Sequence, residues 1–377
     1  MTRIAFVADV HVGNPKKHPG PYSVGFNARG RLVLDTLRKA VAVSNDHGCV
    51  ALVSLGDLFD GVRPNPQTIA AVQEIVDDCP QFIALLGNHE MVSAYPGDHS
   101  LAPLHPLSDI VDRTDVIDID GVVLGLVPFR PGPAEEWLPI ELAKLGRQEG
   151  SAILCLHLGI GDSRTPSFMQ KSHDFVNVEW LQELLACNGW SWSAAGNWHE
   201  KRRWGEGSDE STVLQVGTLS PTGWNNPGFE DYGWMAIWGD DWEPKDGGGP
   251  LHAGFKSVRI PGPRFVKVRS EAELEAAIEE GLRSDCTLFV EWVSPADELA
   301  ANNSRVQELI GQGGVFAGGA IPDERESSER AREAARAASS TETLAAALVA
   351  YIGGLELPKG VTRARILELA KGYLVPA

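Results

Sequence analysis

The chain is short of positive charge. Its 33 Lys and Arg face 51 Asp and Glu, a formal net charge of −18 at pH 7. Broad electrostatic capture of nucleic acid normally needs a basic face, so the deficit argues against it. It leaves room for a local basic patch, or for an acidic pocket neutralised by bound cations. Cysteine is scarce as well. Cys49, Cys79, Cys155, Cys187 and Cys286 are widely spaced and odd in number, with no Cys-x-x-Cys among them. Free thiols, buried in a reducing compartment, are the expectation. No run approaches the length of a membrane span. The apolar stretch at 4–8 is too short for a secretory leader, and Asp9 interrupts it. A soluble, cytoplasmic protein is expected.

What is present is an ordinary globular core. With 377 residues, 43% of them apolar, the chain is long enough for two or three domains. Apolar runs of strand length at 4–8, 50–55 and 81–86 alternate with helical patterns over 30–47 and from Asn65-Pro66 to Pro80. Asn before Pro is an N-cap followed by the best residue for the first helical position. Strand, helix, strand, helix, strand predicts a layered α/β domain. Further strands are expected at 115–119, 122–127, 151–156 and 191–195, with a helix at 177–187. Strands at 212–216 and 233–238 are expected to close a second sheet. Past Pro261 a strand at 264–268, an acidic helix over 271–282 and a strand at 287–292 form a small module. Helices at 341–352 and 361–374 close the chain.

The apolar runs end in polar clusters of matching chemistry: Asp9 and His11, Asp57 with Asp60, Asn88 and His89, His157, and Asn197 with His199. In open α/β sheets, ligands bind where strands meet loops. An Asp and a His at alternate positions on extended chain can reach one ion, and that pair suits manganese, zinc or iron better than calcium. One such residue alone is more often a hydrogen-bonded structural group. Five clusters in order, all at strand ends, predict convergence, with Asp57 a carboxylate shared between two cations.

The set resembles the calcineurin-like metallophosphoesterases, whose pattern is D-x-H, G-D-x-x-D, G-N-H-[DE], a lone His and G-H-x-H. Four blocks match. The fifth departs, because Gly196-Asn197-Trp198-His199 has Asn where the first His is usual. The resemblance implies a four-layer α/β (α+β sandwich) fold, two mixed sheets flanked by helices, with a small cap and C-terminal helices added. It implies that Asp9, His11 and His199 hold one metal, that Asn88, His157 and the Asn197 position hold a second, and that Asp57 bridges. His89 would face the scissile phosphate, oriented by Asp60. Two divalent ions are implied, manganese first and magnesium as the alternative. Such a pair clamps the oxygens of an in-line displacement and lowers the pKa of bound water. An amide oxygen at 197 is a weaker donor than imidazole; the alternative is that Asn197 does not ligate and water takes its place.

Within that superfamily the chain is most similar to the SbcD-type DNA repair nuclease subunits of SbcC–SbcD complexes. Arg31 and Asp35 on the first helix, Gln215-Val216-Gly217-Thr218-Leu219-Ser220-Pro221, and Tyr232-Gly233-Trp234 carry the likeness. It implies a nuclease domain over 1–260, a DNA-capping module over 261–320 and a helical segment over 321–377 that docks on an SbcC-like SMC-type ATPase. It also implies a homodimer acting on DNA, with exonuclease and endonuclease activity. Lys201, Arg202 and Arg203, next to His199, are the expected phosphate contacts. The tryptophans 190, 192, 198 and 204 read as a hydrophobic wall, with base stacking as the alternative. Two other functions compete: a stand-alone phosphodiesterase or phosphatase on a small molecule or phosphoprotein, and a non-catalytic scaffold with a decayed second metal site.

Overall fold

A computed structural model describes residues 1–323 except 94, 96, 149, 167–169, 171, 206–210, 225–230, 243–251 and 285, together with 352, 362 and 364–366. Two compact units are present. The first holds Met1–Glu291 and Glu308–Gly318, the second Trp292–Gln307 and Gly319–Ala377.

Two six-stranded mixed sheets organise the first unit. One runs in the order His252–Arg259, Trp234–Trp242, Arg3–Val7, Ala51–Ser54, Phe82–Leu85, Asp109–Val111. The other runs Arg202–Trp204, Thr212–Gln215, Trp192–Gly196, Ala152–His157, Val122–Val127, Asp115–Ile119. The central strands of each are parallel to one another, and antiparallel strands lie toward the edges. Central strands bury both faces, which is why they read as continuous apolar runs.

The core shows the layering. Ile4, Phe6, Val53 and Ile83 of one sheet pack with Leu124, Leu126, Ile153 and Ala194 of the other. The opposite face of the first sheet, with Ala5, Val7 and Leu52, packs on Val33 and Leu37 of helix Ala28–Asp46 and Val72 of helix Pro66–Val76. The opposite face of the second, with Leu154 and Leu156, packs on Leu138 and Leu142 of helix Ala134–Leu145 and Leu181 of helix Val178–Asn188. Helix, sheet, sheet, helix is the expected four-layer arrangement. Asn27 and Asn65 cap the first two helices through their side chains, to Gly30 N and Thr68 N.

One strand changes sheets. The run at 233–238 was expected in the second sheet, but Trp234–Trp242 pairs antiparallel with Arg3–Val7 in the first. The segment 217–220 crosses over: Leu219 N donates to Ala8 O and Thr218 Oγ1 to Asp9 O, so the chain leaves the second sheet before 234. Helix Ala134–Leu145 escaped the sequence because Pro133 and Pro139 interrupt its pattern. Strand His252–Arg259 and helix Leu299–Gly311 were also missed. Arg264–Val268, Glu271–Arg283 and Leu288–Ser294 form as strand, helix and strand. The expected helices at 341–352 and 361–374, all but five residues of them, lie outside the described residues. All five cysteines are free; Cys49 and Cys155 are buried, but Cys187 is exposed. Among the described residues no helix is long and apolar enough to cross a membrane.

Candidate metal centre

Parallel register gathers the strand ends. Val7 lies beside Ser54, Ser54 beside Ala84, and Gly196 beside His157. The residues that follow therefore leave the two sheets at one edge. Asp9 N donates to Gly56 O at 3.2 Å and His11 N to Asp57 O at 2.9 Å, tying the first two clusters together. Three overlapping groups of potential ligands result: Asp9 with His11 and His199, His11 with Asp57 and His89, and Asp9 with Asp57 and His157.

On one side of Asp57, His11 Nε2 and His199 Nε2 face each other at 3.1 Å. His199 Nε2 lies 3.9 Å from Asp9 Oδ1, and His11 Nε2 lies 4.0 Å from Asp57 Oδ2. Burial and then the neighbouring His199 push His11 down to about 3. Burial likewise pushes His199 down to about 4. Both rings are held neutral at pH 7, and their Nε2 atoms lie within 4.0 Å of the Asp9 and Asp57 carboxylates. Burial, reinforced by the charge of Asp57, pushes Asp9 up to about 7. This donor set fits a divalent cation, which would hold the lone pairs together.

On the other side, His157 Nδ1 donates to Leu55 O at 2.7 Å, since a carbonyl can only accept. That bond fixes the ring and turns Nε2 toward Asn88 Oδ1 at 2.9 Å and Asp57 Oδ1 at 3.5 Å. Burial works to lower the His157 pKa, but the charge and hydrogen bond of Asp57, the charge of Asp9 and the bond to Leu55 O together outweigh it, and the group is pushed up to about 9. Burial works to raise Asp57, but the charge and hydrogen bond of His157 hold it below the usual carboxylate range. Imidazole, amide oxygen and carboxylate oxygen meeting at one point also fit a cation. Asn197 does not join them through a hydrogen bond. Its backbone N–H donates to both oxygens of Asp9, and its side-chain Nδ2 donates to Asp174 Oδ2 at 2.7 Å.

The backbone carries the cost of this convergence. Asp9, His11, Asp57 and Asn197 all have positive φ, between 50° and 83°. Non-glycine residues rarely adopt that region, and each costs about 1–2 kcal/mol there. Glycine permits the closest approaches. A Cβ on Gly56 would collide with His157 Nδ1, and one on Gly87 with Asp57 Oδ1. Buried Glu90 then pins the loops, accepting from Asp57 N at 3.1 Å, Phe59 N at 2.9 Å and Gly87 N at 2.8 Å.

His89 is exposed and stands over His11, ring centroids 4.8 Å apart. Its Nδ1 lies 3.3 Å from the backbone carbonyl of Asp60, while the Asp60 carboxylate lies 3.9 Å from His11 Nδ1. Asp60 thus meets His89 through its main chain and not, as the family resemblance implied, through its acid. Lys201, Arg202 and Arg203 are engaged locally. Lys201 Nζ sits 3.2 Å over the Trp234 ring, Arg202 pairs with Glu200 at 2.7 Å, and Arg203 donates to Phe255 O at 3.2 Å. The four tryptophans do not form one wall: Trp190 is buried in the outer core, Trp192 meets Trp238, Trp198 stacks on Phe175, and Trp204 Nε1 donates to Asp162.

Positive charge that the sequence did not flag lies beside the centre. A cavity of about 360 Å³ is lined by His11, Asn14, Lys16, Lys17, Arg29 and Asp60, among others. Arg29 is buried and lies over Phe265 and Phe289. Glu90 was the last letter of a quoted motif without a role; Asp174 and Arg29 gave no local signal, because their partners are distant in sequence.

Residues 2–214 match the family described as calcineurin-like phosphoesterase. A curated relative, the DNA double-strand break repair protein Mre11 of Haloferax volcanii, is 33% identical over 94 residues. That match covers 24% of this chain and spans only 20% of the relative's length. Similar solved structures include TT1561 of Thermus thermophilus, at 16% identity and TM-score 0.38 over 63% of this chain and 93% of that one. A dimetal phosphatase from Danio rerio matches at 15% identity and TM-score 0.40, over 69% of this chain and 99% of that one.

Proposed function

We propose that this chain, which belongs to the calcineurin-like phosphoesterase family, is a metal-dependent DNA nuclease subunit that hydrolyses phosphodiester bonds at the Asp57 centre. The observation that carries the reading is the convergence of Asp9, His11, His157 and His199 around Asp57. The stretch shared with the Haloferax volcanii repair protein supports DNA as the substrate. Lys16, in the cavity beside His11 and Asp60, supports an anionic ligand; Lys17 there pairs with Glu291 at 3.0 Å, and Arg29 donates to Lys17 O and Thr222 O.

Two divalent cations, manganese with magnesium as the alternative, would supply charge neutralisation at the phosphoryl oxygens and lower the pKa of bound water. Asp9, His11 and His199 would hold one, Asn88, His157 and Asn197 the other, and Asp57 both. The chain's own residues do the rest. His157 is held by Leu55 O, so its Nε2 faces inward. His89 keeps a proton on Nδ1 toward Asp60 O, and its Nε2 lies 3.9 Å from Asp57 Oδ2 at the exposed side of the centre, where it would donate to the leaving oxygen when protonated. The same reading brings an SbcC-like SMC-type ATPase, a homodimer, a cytoplasmic location, and the 261–320 module as a DNA cap.

A second reading, a phosphodiesterase on a small substrate, is favoured by the net charge of −18 and by the local engagement of Lys201, Arg202 and Arg203. One comparison separates them: linear DNA and a chromogenic phosphodiester with Mn²⁺, for wild type and His89→Ala. The nuclease reading expects both substrates cleaved, and His89→Ala to slow DNA degradation about 10²–10⁴-fold with Mn²⁺ binding intact. Intact DNA beside a cleaved ester selects the small-substrate enzyme. Neither cleaved, with Mn²⁺ bound and an SMC-type ATPase added, selects a non-catalytic scaffold.

A further inference from the structure

Asn197 is where this chain departs from the family pattern, and its side chain is not idle. Its Nδ2 donates to Asp174 Oδ2 at 2.7 Å. An amide is planar, so committing the nitrogen to one side fixes the oxygen on the other. Among the described residues no donor reaches Asn197 Oδ1. The residue itself sits at the end of strand Trp192–Gly196, one position beyond the Gly196–His157 pair. A Cβ on Gly196 would lie 3.2 Å from His157 Nδ1, so the residue before Asn197 abuts the Leu55-bound edge of the His157 ring.

Asp174 is held to this task from several directions. Its carbonyl accepts from Gly159 N at 2.8 Å, two residues past His157. Its other carboxylate oxygen, Oδ1, accepts from Ser172 Oγ. The next residue, Phe175, stacks on Trp198 with ring centroids 5.5 Å apart, and Trp198 is the neighbour of Asn197. Trp198 in turn packs where a Cβ on Gly159 would be. The carboxylate that holds Asn197 is thus braced against the segments carrying both His157 and Asn197.

We propose that Asp174 is a positioning residue for the second cation. It binds the amide nitrogen of Asn197 so that Oδ1 is the donor presented beside His157, and the Asp174–Asn197 pair stands in for the single imidazole that relatives use. Outer groups of this kind orient ligands and raise their affinity. The proposal rests on the two-cation reading above.

Mn²⁺ titration calorimetry, with low-temperature electron paramagnetic resonance of the spin-coupled pair, tests it on the full chain. Wild type takes up two ions. Asp174→Ala loses about 10–100-fold in affinity for the second ion only, and the coupled-pair signal fades at limiting Mn²⁺. Asp174→Asn, which keeps a carbonyl acceptor, loses less. In an Asn197→Ala background, Asp174→Ala adds nothing, because the residue acts through Asn197. Thermal melting of the metal-free variants within a few degrees of wild type separates these effects from unfolding. Unchanged second-ion affinity in Asp174→Ala overturns the proposal alone, as does a further full loss in the Asn197→Ala background, which would make Asp174 an independent ligand. A wild-type chain that binds one ion overturns it together with the two-cation reading.

Discussion

The two sides of Asp57 use the same residue type in opposite protonation states. His11 and His199 lie among other imidazoles and are pushed down to about 3 and 4. His157, fully buried, faces Asp57 and Asp9 and is pushed up to about 9. Burial disfavours the charged ring in all three; at His157 two carboxylates and the Leu55 carbonyl together outweigh it, while at His11 and His199 neighbouring imidazoles add to it. His157 Nε2 is 3.5 Å from Asp57 Oδ1, while His11 Nε2 is 4.0 Å from Oδ2 and has His199 at 3.1 Å. In the metal-free chain a proton on His157 occupies the role a cation would take. The other side has no such substitute, so its lone pairs stay unneutralised until an ion binds.

The largest effect expected is from removing the group both sides share. Asp57→Ala should abolish the coupled uptake of two Mn²⁺ and, as charge stabilisation of several kcal/mol is lost, lower phosphodiester hydrolysis about 10³-fold or more. Calorimetry and hydrolysis rates check both; persistence of two tightly bound ions would dissolve the comparison. Gly56→Ala should break one side and spare the other. Its φ is +95° and the new methyl would meet His157, so a loss of about 2–4 kcal/mol in unfolding free energy is expected, with the Asp9 side still binding its ion. Equal loss on both sides would show that they cannot be uncoupled.

The smallest effect comes from a carboxylate outside the centre that has its own cations. Glu141 accepts from Lys144 Nζ at 2.8 Å and from Thr114, with Arg130 Nε at 3.4 Å. Burial would raise its pKa, but these groups hold it below the ordinary value of 4.5. A lowered folded-state pKa means the stabilisation is present above pH 4.5 and fades as pH falls through the folded value. Glu141→Gln should therefore cost about 1–2 kcal/mol at pH 7. Melting curves of the two proteins should draw together as the pH falls below 4.5. They should be indifferent to Mn²⁺ at Glu141, unlike Asp57.

Much of the centre was legible because ligands follow strands. Asp9, His11, Asp57, Asn88, His157 and His199 each stand just past an apolar run, and a parallel sheet delivers such positions to one edge. The second carboxylate of Gly-Asp-x-x-Asp was legible as a residue but not in its contact, since Asp60 reaches His89 by its carbonyl. Asp174 was not legible at all: it sits 23 residues before Asn197 in a loop without a motif. Lys201, Arg202 and Arg203 looked like a free basic patch because adjacency in sequence does not reveal that Trp234, Glu200 and Phe255 lie against them.

Most of the strands and helices, the layered class and the kinds of donor atom at each strand end follow from local periodicity and residue chemistry, and the order of residues carries both. Long-range packing settled the rest. It sent Trp234–Trp242 across to the first sheet, held four residues of the centre at positive φ, and turned the Asn197 nitrogen to Asp174. It also set which side of Asp57 keeps a proton. Those outcomes depend on separations of about 3–4 Å between polar atoms of residues far apart in the chain, and such separations exist only once both sheets have packed.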